Sequence, residues 1–245
     1  MEKLTSWVNR DFNSPISHKK DFKMTIRKIV KWASIAIVAV VVIVVAAIFM
    51  FPGALAGPTA PPLQLPELST AAMTESAPSP DGTWIAGSGS LAGFRVDESF
   101  LVQSGTIVGR TSAVTGSLVV ADNAVSSGAF QVDLSKLTLG GKPNASFFKI
   151  LDTSTTPNAT LTLMNPIVFT NIPSNGQTIS SSADGTLTMH GFTQPVTFTF
   201  TGRYDGSVLE ATGSAPVLAT DWRIDSPFGI HNNDVIEFLV ILQRA

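Results

Sequence analysis

From Asp81 onward the chain is written in a period of two. Short runs alternate apolar and polar residues, and Gly, Asn, Asp and Pro separate them. The block 185–200 is the clearest case. Leu187 and Met189 share one face of a first strand; Val196, Phe198 and Phe200 share one face of a second, with Thr197, Thr199 and Thr201 opposite. Residues two apart on a strand point the same way, so this pattern places one face against apolar matter and the other in water. His190-Gly191 marks the turn, and Pro195 suits a strand start, where a missing N–H is tolerated. Elsewhere Phe130, Val132 and Leu134 alternate with Gln131 and Asp133. Leu161 and Leu163 alternate with Thr160 and Thr162, and Ile236, Phe238, Val240 and Leu242 share one face, with Glu237 opposite. Such spacing predicts an all-β sandwich or barrel. The segment 144–151 is the one candidate for a short helix or ordered loop.

Before Asp81 the character changes. Residues 1–31 hold eight Lys/Arg against three acids (8 − 3 = +5), whereas the rest holds eight against fifteen (8 − 15 = −7). The run 32–51 has 20 residues without a charge, dominated by Val, Ile and Ala. At roughly 1.5 Å per residue a helix of that length spans about 30 Å, the thickness of a hydrocarbon core. Basic residues precede it and the next Lys/Arg is Arg95, so the expected orientation has a cytoplasmic N-terminus and an extracytoplasmic C-terminal domain, a single-pass signal-anchor in the cell membrane. Ala54-Leu55-Ala56 also fits a cleavage site, and cleavage after Ala56 would release a secreted domain. The apolar run is longer than usual for a cleaved signal, which favours the uncleaved anchor. Residues 52–80 carry Pro58, Pro61, Pro62, Pro66, Pro78 and Pro80 and read as an extended linker or stalk. The expected organisation is therefore 1–31 basic tail, 32–51 transmembrane helix, 52–80 linker and 81–245 barrel domain.

Several chemistries find no motif. The chain has no cysteine, which excludes disulfides and a thiol nucleophile. The acidic C-terminal part argues against a nucleic-acid partner. His18, His190 and His231 lack metal-ligand spacing, and His190 reads as a turn residue or structural hydrogen-bond donor. There is no G-x-S-x-G elbow. Asp221 and Asp225 flank Trp222 and Arg223, a pattern that suits a surface Asp–Arg ion pair better than paired catalytic acids. The reading is of a chain that is not an enzyme and takes no metal or cofactor.

The wording of these strands resembles the YceI-like lipid/polyisoprenoid-binding family. The stretch from Leu187 to Val196 is similar to its "LT-hydrophobic-HG-hydrophobic-T-x-PV" segment. In the same order, Gly82-Thr83-Trp84, Ala92-Gly93-Phe94-Arg95-Val96, Val108-Gly109-Arg110-Thr111, Val114-Thr115-Gly116-Ser117-Leu118 and Phe130-Gln-Val-Asp-Leu-Ser-Lys-Leu137 resemble successive family strands. Ser226-Pro-Phe-Gly-Ile230 and Ile236-Glu-Phe-Leu-Val240 resemble its closing segments. The likeness runs over roughly 82–245. It departs at Lys142-Pro143, where relatives often carry an Arg-Asp pair, and at Thr156-Pro157, where Tyr-Pro is common.

The resemblance implies an antiparallel eight-stranded lipocalin-like barrel that holds an isoprenoid or similar apolar lipid, quinone-like or polyprenyl, for sequestration or transport. Candidate lining residues are Phe94, Phe130, Val132, Phe147, Phe148, Leu161, Leu163, Phe169, Leu187, Met189, Val196, Phe198, Phe200, Trp222, Phe228 and Phe238. Any one of them also suits simple core packing. An eight-stranded barrel is the size at which the interior is either filled or holds one small ligand. Lys142, Lys149 and Arg223 are candidates to meet a head group. The alternative is a structural or interaction barrel on the cell envelope without a ligand.

Overall fold

The alternating block folds as expected, into the longest hairpin of the molecule. Strands β9 (Thr178–Met189) and β10 (Phe192–Tyr204) pair antiparallel with Met189 opposite Phe192. The two turn residues both have positive φ, His190 at 51° and Gly191 at 78°. That is the two-residue turn whose twist matches the strands it joins. The structure, a computed structural model, describes residues 60–68, 78–100, 103–173, 176–224, 230–231 and 234–245. The basic tail 1–31, the apolar run 32–51, the Ala54–Ala56 site and Phe228 lie outside the described residues. No helix among the described residues is long and apolar enough to cross a membrane.

The remaining strands are β1 (Gly82–Ala86), β2 (Leu91–Phe100), β3 (Gln103–Thr111), β4 (Val114–Ala121), β5 (Ala124–Asp133), β6 (Thr138–Leu139), β7 (Asn158–Leu163), β8 (Ile167–Val168), β11 (Val208–Val217), β12 (Ile230–His231) and β13 (Asp234–Arg244). Pairing runs β1-β4-β5-β7-β9-β10-β11-β13, and β13 returns to β1. Eight antiparallel strands thus close on themselves, and this part of the fold is the barrel that the family resemblance implied. Closure abolishes the sheet edges that an open β-sheet leaves for stray pairing.

Among the described residues the short β8 adds to β5, and a larger branch leaves the ring at β13. Strand β1 meets only the C-terminal end of β13, Trp84 opposite Arg244, while β2 pairs with its N-terminal half, Val235 opposite Arg95. From there β2 leads to β3, and β3 to β6. His231 pairs through its backbone in β12 with Glu98 of β2. The two ends of the barrel differ accordingly. At one end Trp84, Val120, Tyr204, Val240 and Leu242 form a core, with Trp84 and Tyr204 edge-to-face at 5.7 Å. At the other end Leu134, Leu137, Leu151, Leu187, Val196, Trp222 and Ile224 form a second core.

The second core is built from non-strand pieces with local causes. Asp133 ends β5 by accepting hydrogen bonds from the Ser135 amide (2.9 Å) and hydroxyl (2.6 Å). It caps a 3-10 turn, Leu134–Lys136, so Leu134 enters the core from a turn and not from the strand. The helix expected within 144–151 is α1 (Ala145–Ile150), capped by Asn144, whose side-chain oxygen accepts from the Phe147 amide at 3.1 Å.

Candidate functional site

Inward residues of the barrel do not fill it. They surround a cavity of about 320 Å³ that extends from one core to the other. That size lies at the low end of ligand-binding pockets. Its walls are apolar along most of their length. Strand β5 contributes Phe130 and Val132, and β7 contributes Leu161 and Leu163. Strands β9 and β10 contribute Leu187, Met189, Phe198 and Phe200, and β13 contributes Ile236, Phe238 and Val240. Polar residues at the cavity wall are few: Gln177, Arg203, Tyr204, Glu210, Asp234 and Glu237. Arg203, its partner Glu210 and Glu237 stand between inward residues of their strands, so their side chains lie on the opposite face of the wall. Among these, Arg203 pairs with Glu210, and Glu237 pairs with Arg110 at 2.6 Å. Those charges are satisfied by each other and are not held out to a ligand.

Glycine permits close approach in the barrel wall, as at Gly213 and Gly109. A Cβ on Gly213 would stand 2.4 Å from the Phe238 ring and 2.5 Å from the Thr199 carbonyl. A Cβ on Gly109 would meet the Phe94 ring at 2.3 Å. These glycines let large rings lie flat against the wall. Phe94 in turn stacks on Phe147 of α1, with centroids 5.0 Å apart, so the helix packs against the cavity through an aromatic pair.

The sequence-predicted residues divide. Phe94, Phe130, Val132, Phe147, Leu161, Leu163, Phe169, Leu187, Met189, Phe198, Phe200 and Phe238 line the cavity. Phe148, Val196 and Trp222 do not; they pack in the end core. Trp222 is almost fully buried, and its indole N–H donates to the Leu187 carbonyl at 3.1 Å. Lining residues not singled out from the sequence include Val96, Ile107, Val114, Leu137, Ile150 and Ile179. Val114 and Ile179 obey the same alternation as the residues that were picked. Leu137 and Ile150 lie in a loop and a helix, where a period of two gives no signal.

Around His190 the geometry is structural. Nδ1 lies 2.9 Å from the Trp222 carbonyl, and because a carbonyl only accepts, Nδ1 carries the proton. Gln194 donates to the Asp221 carbonyl at 2.9 Å. Together they clamp the 3-10 turn Ala219–Trp222 onto the β9–β10 hairpin. Of the two acids that could pair with Arg223, Asp221 forms no salt bridge with it among the described ones, and Asp225 lies outside the described residues. Arg223 instead lies over the Phe192 ring, 4.6 Å from its centroid. Among the described residues no three His, Cys, Asp or Glu side chains gather as metal ligands would.

A closed antiparallel barrel around an apolar cavity defines the class: a small all-β barrel with an apolar interior. The chain belongs to the YceI-like domain family, which matches residues 85–241. Among solved structures it is similar to a polyisoprenoid binding domain from Saccharophagus degradans implicated in plant cell wall breakdown. The TM-score there is 0.52 at 13% identity, covering 67% of this chain and 99% of that one. It is also similar to Burkholderia cenocepacia BcnA, with a TM-score of 0.47 at 16% identity, covering 62% of this chain and 95% of that one. At these identities the likeness concerns the fold. No curated protein matches the chain.

Proposed function

We propose that the chain binds an isoprenoid or similar apolar lipid, quinone-like or polyprenyl, inside its barrel, for sequestration or transport, and catalyses no reaction. The observation that carries this reading is the apolar cavity of about 320 Å³ in a barrel of a size that is often filled by its own side chains. Each buried CH₂ contributes roughly 0.8 kcal/mol, so one isoprene unit contributes about 3–4 kcal/mol gross. A few units overcome the cost of association without a polar anchor, which suits a wall whose charges are already paired. The fold neighbour described as a polyisoprenoid binding domain points the same way. The run 32–51 and its basic flank support membrane anchoring with the barrel on the extracytoplasmic side.

Native mass spectrometry of the full chain, purified in mild detergent from a lipid-containing host, tests the reading. The expected result is a discrete apolar adduct that organic extraction removes. Ligand-free barrels that also take up no added polyprenol or quinone would overturn it. Cell fractionation tests the anchor: full-length protein released only by detergent supports it, and a soluble form beginning at Gly57 refutes it.

A further inference from the structure

The outer wall of the barrel is not bare. Residues 60–68, part of the stretch expected to be a stalk, lie along it and bond to it. Arg95 on β2 donates to the Ala60 carbonyl at 2.8 Å, and Arg110 on β3 donates to the Pro61 carbonyl. Glu237 on β13 accepts from the Leu63 amide at 3.3 Å, and Thr212 on β11 donates to the Leu63 carbonyl at 3.0 Å. Arg203 on β10 donates to the Pro66 carbonyl. Leu68 then packs so closely on Gly176, just before β9, that a Cβ there would stand 2.8 Å from it. After Ala60 on β2 and Pro61 on β3, the contacts follow the sheet order β13-β11-β10 toward β9. The segment is therefore a strap that crosses the strands one after another.

The wall matches the strap chemically. Pro61, Pro62 and Pro66 have no N–H to satisfy, so a segment of this composition offers mainly carbonyls. The wall answers with four donors, Arg95, Arg110, Thr212 and Arg203, and one acceptor, Glu237, placed at the Leu63 amide. The donors are held in place independently of the strap. Arg110 makes two hydrogen bonds to Glu237, at 2.9 and 2.6 Å, and Arg203 is paired with Glu210. An extended proline-rich segment loses little freedom on docking to such a row.

We propose that the outer wall from β3 to β10 is a docking groove for an extended proline-rich segment, filled in cis by residues 60–68.

The test uses the full chain in mild detergent. The Leu63 amide is expected to exchange with deuterium at least a hundred-fold more slowly than in a free peptide of residues 57–70. The chain has no cysteine, so Gln64→Cys takes a single spin label. That label should be immobile in the otherwise native chain and mobile when Thr212→Val or Arg203→Gln is added. A chain with 60–68 replaced by Gly/Ser, its fold checked by circular dichroism, should bind the 57–70 peptide in trans, at least ten-fold more weakly with Arg203→Gln. Free-peptide exchange at Leu63, or a folded replacement chain that ignores the peptide, would overturn the proposal. If the replacement chain does not fold, exchange and label mobility decide alone. Neither readout involves lipid, so an empty cavity with a docked strap counts against the lipid reading only.

Discussion

The two faces of β13 solve opposite problems. Toward the cavity it presents Ile236, Phe238 and Val240, which need only to be kept from water. Away from the cavity it presents Glu237, just 5% exposed, which needs partners and has them in Arg95, Arg110 and the strap amide at Leu63. The inner face tolerates an unfilled volume because its groups make no directional demands. The outer face does not, because a buried carboxylate without donors is costly. Adaptability thus lies inside the barrel and specified geometry outside it, the reverse of the usual picture of a soft polar surface around a jigsaw core.

Substitutions can break or sharpen that contrast. The largest effect is expected where the inner face is fully packed. Trp84 is 0% exposed, its N–H donates to the Pro80 carbonyl at 2.7 Å and Arg244 lies over its ring. Trp84→Ala should cost about 3–5 kcal/mol in urea denaturation. Glu237→Ala should cost about 2–3 kcal/mol, since it leaves two arginines without their acid where each is about four-fifths buried. A larger loss for Glu237→Ala than for Trp84→Ala would mean that the outer wall, and not the core, holds the barrel together. Gly213→Ala pushes a methyl into Phe238 and should cost about 1–3 kcal/mol, with a smaller cavity visible as weaker uptake of a fluorescent apolar probe.

The smallest effect is expected at the β10–β11 turn. There Asp205 accepts from the amides of Ser207 and Val208, both at 2.8 Å. Burial alone would raise its pKa, but these hydrogen bonds, the Ser207 hydroxyl and the Arg203 charge outweigh it and hold the carboxyl below its ordinary 3.8. A lowered folded-state pKa gives stability that is complete above the unfolded value and is lost as pH falls through the folded one. Asp205→Ala should therefore cost under about 1 kcal/mol at pH 7. The gap from the native chain should shrink as pH is taken below 3.8. A gap that persists in acid would assign the effect to the turn's shape and not to the charge.

The strands were legible because alternation is a local signal. Phe198 and Phe238 could be placed inside from their neighbours alone. Alternation says inward or outward, however, and carries nothing about depth along the barrel. Val196 and Phe198 share a phase, yet Val196 packs in the end core and Phe198 faces the cavity. Leu137 and Ile150 were invisible for the complementary reason: they reach the cavity from segments with no period of two. The strap was the least legible part. Its composition reads only as an extended linker or stalk. Its partners lie 35 to 174 residues away in the chain, and nothing local announces them.

The junction of β1 with β13 also governs how the molecule comes into being. Thr83 accepts from the Ala245 amide at 2.9 Å, and Trp84 sits opposite Arg244, so the seam of the ring joins its first strand to its last. During synthesis every strand but β13 can be in place while the wall is still open, with β1 and β11 each missing a neighbour. Contacts of such long sequence separation form slowly, and unpaired edges invite association in the meantime. The vulnerable moment in the life of this barrel is therefore the interval before β13 arrives to close the ring.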